Sequence, residues 1–471
     1  MKEKPNILFI LADDMGYGDF SFFNQGLSQT PALETLYRQG VCLTQHYSAS
    51  PVCSPARAGL LTGRYPHRTG CIDTFPMHGL DTLAPDEVTI ADLLKRAGYA
   101  TGLVGKWHLG AIEKKYHPAS RGFDEFVGFR GGWQDYYQWR LFYNEKLVAS
   151  DGRYLTDVFT EEALEFIHRH QKEPFFLHLC YNAPHFPLQA PEEEMKVFLG
   201  KPGLNKGVAT IYAMLRRLDK GVGQILEHLR QLGLENKTAV FFTSDNGPQF
   251  GGSGEMSTTR YNHQFRGCKG NVYEGGIRVP MVIRWPGYLP EGRLISEMVH
   301  FVDWLPTILE MVGVKIPSGL KKLDGQSVWP VLQGNKAERR KYFWQWNRLY
   351  PVRSSNIAMR DGDWKLVRGP LPETMEFPPS LGQIDREYTY HPEKFTHIFQ
   401  ESFPEFKLEE NQPQLFHLKD DPLEENDLAL KYPDIVERMD RETDQWFEEL
   451  EAERKTIQKN LDGTRGRLYP D

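Results

Sequence analysis

Five apolar runs of strand length recur along the chain, at Asn6 to Leu11, Ala100 to Val104, Phe175 to Tyr181, Thr238 to Thr243 and Val279 to Trp285. Helix-like stretches separate them, and the alternation predicts an α/β fold around a large, buried, mostly parallel sheet. Thr30 is placed to cap one helix, with Pro31 at its first position and Gly40 past its end, and the stretch Val88 to Ala97 stops at Gly98. Further helices are expected over Thr156 to His170, Lys206 to Leu232 and Asp303 to Val312.

From about Asn335 the texture changes. Pro-rich loops span Gly369 to Ser380, Asp361-Gly362-Asp363 signals a hairpin, and a charged helix is expected from Asp434 to about Lys459. The chain therefore divides into a larger domain over 1–335 and a smaller C-terminal α+β subdomain over 336–471, built on an antiparallel sheet. No internal repeat is visible.

Composition narrows the function classes. The 471 residues carry a net charge of −7 and no long basic block, which argues against a nucleic-acid partner, and no run is apolar enough to span a membrane. Five cysteines, Cys42, Cys53, Cys71, Cys180 and Cys268, make an odd set without disulfide spacing, and no Cys-x-x-Cys pair suggests zinc. The charged start, Met1 to Pro5, runs straight into the first strand without a signal peptide. A cytoplasmic home, or a periplasmic or secreted one with the signal removed, fits equally.

Polar clusters follow the predicted strands directly: Asp13-Asp14 after the first, Lys106 and His108 after the second, His185 after the third, Asp245-Asn246 after the fourth. In open α/β sheets ligands bind at that edge, so the clusters outline one site. Asp13, Asp14, Asp245 and Asn246 offer only hard oxygen ligands, which suit Ca²⁺ or Mg²⁺ and disfavour zinc or copper. Taken alone, each acidic pair reads equally well as turn or cap chemistry; two such pairs at strand ends favour a metal. In the tract from Cys53 to Arg57, Pro55 suits a first helical turn. Cys53 then sits at a helix N-terminus, where free N–H groups favour an anion and a nucleophile.

Cys53-x-Pro55-x-Arg57 with the downstream Thr62-Gly63-Arg64 resembles the type I sulfatases of the alkaline-phosphatase superfamily, in which this tract directs conversion of the cysteine to formylglycine. Further tracts match in order: Leu11 to Asp19, Gly105 to Gly110, Asn182 to Pro187, Thr243 to Pro248, Lys269 to Arg278 and Arg360 to Val367. The resemblance implies an alkaline-phosphatase-like α/β/α sandwich and a sulfuric ester hydrolase that uses one Ca²⁺ and a formylglycine at position 53, made by a formylglycine-generating enzyme. It implies that Asp13, Asp14, Asp245, Asn246 and the modified residue 53 hold the metal, and that Arg57 steadies the aldehyde hydrate. Lys106, His185 and Lys269 would hold the sulfate and the leaving group, with His108 facing the hydrate's second hydroxyl.

In the implied mechanism one hydroxyl of the hydrate attacks sulfur while His185 or Lys269 protonates the departing alcohol, and His108 then deprotonates the other hydroxyl so that sulfate leaves. The aromatic content suits a small sulfated substrate, in particular a saccharide. A phosphodiesterase or phosphonate monoester hydrolase of the same superfamily is the alternative, and a catalytically dead carbohydrate-binding relative is a third reading that the filled catalytic positions oppose. Gly132, Trp133, Asp135, Arg260, His263, Trp344, Trp346 and Arg348 are candidates for the substrate pocket. Cys268 beside Lys269 and the segment Gly251 to His263 match no expected pattern.

Overall fold

In the computed structural model, residues 4–336, 338–376, 379–399, 406, 408 and 411–460 are described. Four strands form the parallel centre: β1 (Asn6–Ala12), β2 (Ala100–Lys106), β3 (Phe175–Cys180) and β4 (Thr238–Ser244), in the order β4-β1-β3-β2. Beyond β4 lie β5 (Met281–Arg284), then Val41–Leu43 and Arg293–Ile295; beyond β2 lie Glu125–Phe129, Arg140–Tyr143 and Lys146–Ala149. This ten-stranded mixed sheet is the predicted α/β core, with flanking strands whose short apolar runs give no clear sequence signal.

Two expectations need correction. The run Val279 to Trp285 forms a shorter strand that pairs antiparallel to β4, starting after Pro280, whose nitrogen cannot join a ladder. Thr30 does not cap the Pro31–Gln39 helix; its hydroxyl is engaged with Ser21, and Asp219 on the Lys206–Gln231 helix accepts from Ala32 N and Leu33 N instead. The other predicted helices appear as Ile90–Arg96, Leu155–Arg169, Lys206–Gln231 and Trp304–Met311.

Register aligns the carboxyl ends of the central strands. Ala12 pairs with Ser244, Leu11 with Cys180, and Gly105 with both Cys180 and Gly128, so the residues after β1 to β4 emerge at one level. Gly105 makes this close approach: its φ is +108°, and a Cβ there would lie 1.9 Å from the Cys180 carbonyl oxygen.

The C-terminal region carries a separate antiparallel sheet in the order Lys341–Gln345, Ile357–Asp361, Trp364–Arg368, Gln414–His417, with the expected hairpin at Gly362. The helix Pro433–Asn460 covers it, stacking Trp446 on Phe343 at 5.0 Å. Buried Lys365 of this sheet donates to Glu274 at 2.8 Å and forms an ion pair with Glu424 at 2.8 Å, which ties the sheet to the segment after Lys269. Part of the Pro-rich stretch is helical: a helix runs over Pro379–Tyr390, while positions 377 and 378, and the last residues from 461, lie outside the described residues. Among the described residues no helix is long and apolar enough to cross a membrane.

Candidate active site

The helix Cys53–Thr62 begins where the strand ends converge, and Cys53 stands at its first turn, 3% exposed, at the floor of a cavity of about 680 Å³. Burial pushes the Cys53 thiol up against the opposing pull of Lys106 and Lys269, so an unmodified side chain is a neutral thiol.

Beneath it lies an acidic floor. One oxygen from each of Asp13, Asp14 and Asp245 falls within 4.8 Å of the others, and all three residues are buried. Asp13 Oδ1 and Asn246 Oδ1 are buried acceptors that receive no hydrogen bond from any described residue. Orphaned oxygens of this kind are costly unless a cation completes them, and a carboxylate-plus-amide set is the chemistry of a hard divalent metal. Electrostatics agree, since burial drives the Asp13 carboxyl upward and Asp245 and Asp14 beside it push the same way. The residues present thus fit a divalent cation.

Cations frame this floor. Lys106 Nζ donates to Asp13 Oδ2 at 2.8 Å, and Lys269 Nζ to Asp14 Oδ2 at 2.8 Å. Arg57 donates to Asp245 Oδ2 through Nε (3.0 Å) and Nη2 (2.8 Å), and its Nη1 reaches the Lys106 carbonyl at 3.0 Å. Burial would raise Asp14, but Lys269, His185 and Lys106 outweigh it and hold that carboxyl below the usual range. Asp14 and His108 both take positive φ, +65° and +57°, a sign of backbone constrained at a site.

The two histidines have fixed faces. Both are held neutral, chiefly by burial, with Lys106 beside His108 and Lys269 beside His185 adding to the effect. His108 Nε2 lies 3.0 Å from the Thr74 carbonyl and donates to it, which leaves Nδ1, buried and without a hydrogen-bond partner among the described residues, as the basic nitrogen. His185 Nδ1 lies 2.9 Å from the Phe186 carbonyl, with Nε2 turned toward Asp14 Oδ2 at 3.7 Å.

The structure sorts the pocket candidates. Gly132, Trp133, Trp346 and Arg348 line the cavity with Cys53, His108, His185 and Lys269. Four others do not. Arg260 is committed to Asp19 through Nε and Nη2, both at 2.7 Å, and borders a smaller neighbouring cavity; Asp135 caps the turn at Tyr137 and Gln138. Exposed His263 packs on Tyr17 and Phe265, and Trp344 is buried with its Nε1 on the Ser48 carbonyl. These are structural pairings that residue type alone does not reveal. Conversely, sequence reasoning misses Asp73, Asp385 and Tyr390: Asp73 holds Arg348 at 3.0 Å, and Asp385 and Tyr390 line the cavity. No local pattern marks them.

The family model described as Sulfatase matches residues 5–314, and that described as N-sulphoglucosamine sulphohydrolase, C-terminal, matches 264–370. N-acetylgalactosamine-6-sulfatase of Sus scrofa is 31% identical over 473 residues, covering 93% of this chain and 84% of that protein. The crystal structure of Ps i-CgsB in complex with k-i-k-neocarrahexaose superposes with a TM-score of 0.80 at 29% identity, covering 100% of this chain and 95% of the other. The phosphonate monoester hydrolase SpPMH from Silicibacter pomeroyi, at TM-score 0.62 and 20% identity over 98% of this chain and 96% of that one, shares the fold alone.

Proposed function

The chain belongs to the sulfatase family and is a sulfuric ester hydrolase, and from that premise we propose that it removes sulfate from a sulfated saccharide at the Cys53 cavity, with position 53 converted to formylglycine and one Ca²⁺ on the acidic floor. The observation that carries this reading is the convergence of four oxygen-donor side chains with Lys106, Lys269 and Arg57 beneath a helix N-terminus. The saccharide is supported by the N-acetylgalactosamine-6-sulfatase relatives and by the k-i-k-neocarrahexaose named with the solved structure.

In this proposal Asp13, Asp14, Asp245, Asn246 and residue 53 hold the cation. When bound, a divalent cation supplies charge neutralisation and lowers the pKa of a coordinated oxygen. A formylglycine at position 53, made by a dedicated maturation enzyme, would supply as its hydrate two hydroxyls where cysteine has one thiol.

The chain's own residues do the rest. Lys106, Lys269 and His185 surround the place where sulfate oxygens sit, and their donors offset its charge in a site with little water. Arg57 fixes one oxygen of Asp245 and leaves the other to face the cation site. His108 Nδ1 is the nitrogen free to accept a proton at residue 53, because Thr74 occupies Nε2. Lys269 delivers a proton to the departing alcohol, because His185 is neutral with Nδ1 against the Phe186 carbonyl and has a proton to give only after Nε2 takes one up. Residues 336–471 act as a smaller unit that contributes Trp346, Arg348 and Asp385 to the cavity rim.

The test is release of inorganic sulfate from monosulfated sugars against hydrolysis of bis-nitrophenyl phosphate, using protein matured in a host that converts Cys53. A large preference for the phosphodiester sinks the proposal.

A further inference from the structure

Neither family model extends past residue 370, yet the cavity that Cys53 lines is also lined by residues beyond that point. The helix Pro379–Tyr390 brings Asp385 and Tyr390 to the same cavity as Cys53, His108, His185 and Lys269. Asp385 Oδ2 accepts a hydrogen bond from Trp133 Nε1 at 2.7 Å. Among the described residues no side chain donates to Oδ1, and this oxygen is not among the atoms sealed from solvent. The Trp133 ring is held at an angle to Phe186, 5.7 Å away, and edge-on to Tyr390, 5.9 Å away, all three on the same cavity.

We propose that Asp385 is a specificity-determining residue that accepts a hydrogen bond from a hydroxyl of the sugar carrying the scissile sulfate, with Trp133 as the plate against which that sugar ring lies. This rests on the sulfatase reading of the cavity. A carboxylate oxygen beside an indole face pairs an acceptor with an apolar surface, which is the two-sided chemistry a pyranose presents. A ligand without a hydroxyl at that place leaves a desolvated carboxylate unpaired, and discrimination by buried polar groups is steep for that reason. The charge adds a negative rule: a second sulfate or a carboxylate facing Asp385 is repelled, so the sugar position there is unsubstituted. Burial raises the Asp385 carboxyl to about 6, while the Trp133 hydrogen bond, Lys106 and Arg348 favour its ionised form, so it is an anion at neutral pH.

The experiment compares wild type, Asp385→Ala, Asp385→Asn and Trp133→Phe as full-length, matured enzyme on N-acetylgalactosamine 6-sulfate and on nitrophenyl sulfate, which has no hydroxyl to offer. The readout is the ratio of kcat/KM for sugar over aryl ester. Loss of a hydrogen bond to a charged group corresponds to about 10- to 100-fold, so Asp385→Ala is expected to lower the ratio by ~30-fold, through KM more than kcat. Asp385→Asn retains shape and polarity and is expected to fall between, while Trp133→Phe keeps the plate but frees Asp385, for a loss of several-fold. Equal losses on both substrates, or an unchanged ratio in Asp385→Asn and Asp385→Ala, overturn the proposal. Wild type that releases sulfate from neither substrate overturns the sulfatase reading itself, and this inference with it.

Discussion

Arg57 grips a single oxygen of Asp245, with Nε at 3.0 Å and Nη2 at 2.8 Å, and both side chains are almost wholly buried. The fork leaves Asp245 Oδ1 to the Asp14 amide and the cation site, so one planar group sets the aim of a metal-facing carboxylate. Lysine has no such fork. Arg57→Ala is expected to cost about 3–5 kcal/mol in urea unfolding because it strands a buried carboxylate, and Arg57→Lys less. Both are expected to abolish most sulfate release. Near-wild-type activity in Arg57→Lys would show that the geometry of this pair is dispensable.

The orphaned Asp13 Oδ1 and Asn246 Oδ1 predict cation dependence. Treatment with a calcium chelator is expected to remove activity, and Ca²⁺ to restore it better than Zn²⁺. Calcium at a hundredfold excess over its Kd adds about 2.7 kcal/mol of stability, visible as a raised Tm that depends on calcium concentration. Asp13→Asn is expected to shrink that rise. A Tm insensitive to both chelator and calcium argues against the site.

Gly132 lies against the ring proposed to move a proton. A Cβ at this position would stand 3.0 Å from His108 Cε1 and 3.1 Å from Nε2, too close unless the ring gives by a few tenths of an ångström. That displacement acts on the Thr74 hydrogen bond and on the direction of Nδ1. Gly132→Ala is expected to lower kcat by ~10-fold with little change in KM, since misplacement of a catalytic group is felt mainly in the chemical step. A change confined to KM would place His108 in binding only.

The strand-end residues are legible because each sits within four positions of a strong apolar run, and register in a parallel sheet delivers such residues to one edge. Lys106 and Asp245 illustrate this: neither needs tertiary knowledge once β2 and β4 are assigned. The rim is not legible. Arg260 and Asp135 have the residue types of a saccharide pocket, but their partners, Asp19 and Gln189, are distant in sequence and turn them into structural ties. Asp385 shows the converse, since its meeting with Trp133, 252 positions away, follows only from how the Pro379–Tyr390 helix docks.

The last prediction concerns acid stability. His178 is sealed in β3 between Phe9 and Phe176, with Nδ1 3.4 Å from the Phe9 carbonyl, and burial lowers its pKa to about 3, with Arg57 adding to the effect. Folded protein therefore keeps this ring neutral while unfolded chain takes up a proton near pH 6.5, so the unfolded state binds more protons as pH falls between those values. By linkage, stability is full above about pH 6.5 and is lost at about 1.4 kcal/mol per unit below it, until the folded ring itself titrates. Other buried groups titrate in the same range, so the difference between wild type and a non-titrating variant isolates this one. His178→Gln is expected to be less stable than wild type at neutral pH, and the gap in urea unfolding free energy is expected to narrow by about 1.2 kcal/mol from pH 6 to pH 5. A gap that stays constant over that interval would mean that His178 is protonated in the folded protein, and that the sheet beneath Cys53 holds a charge rather than a neutral ring.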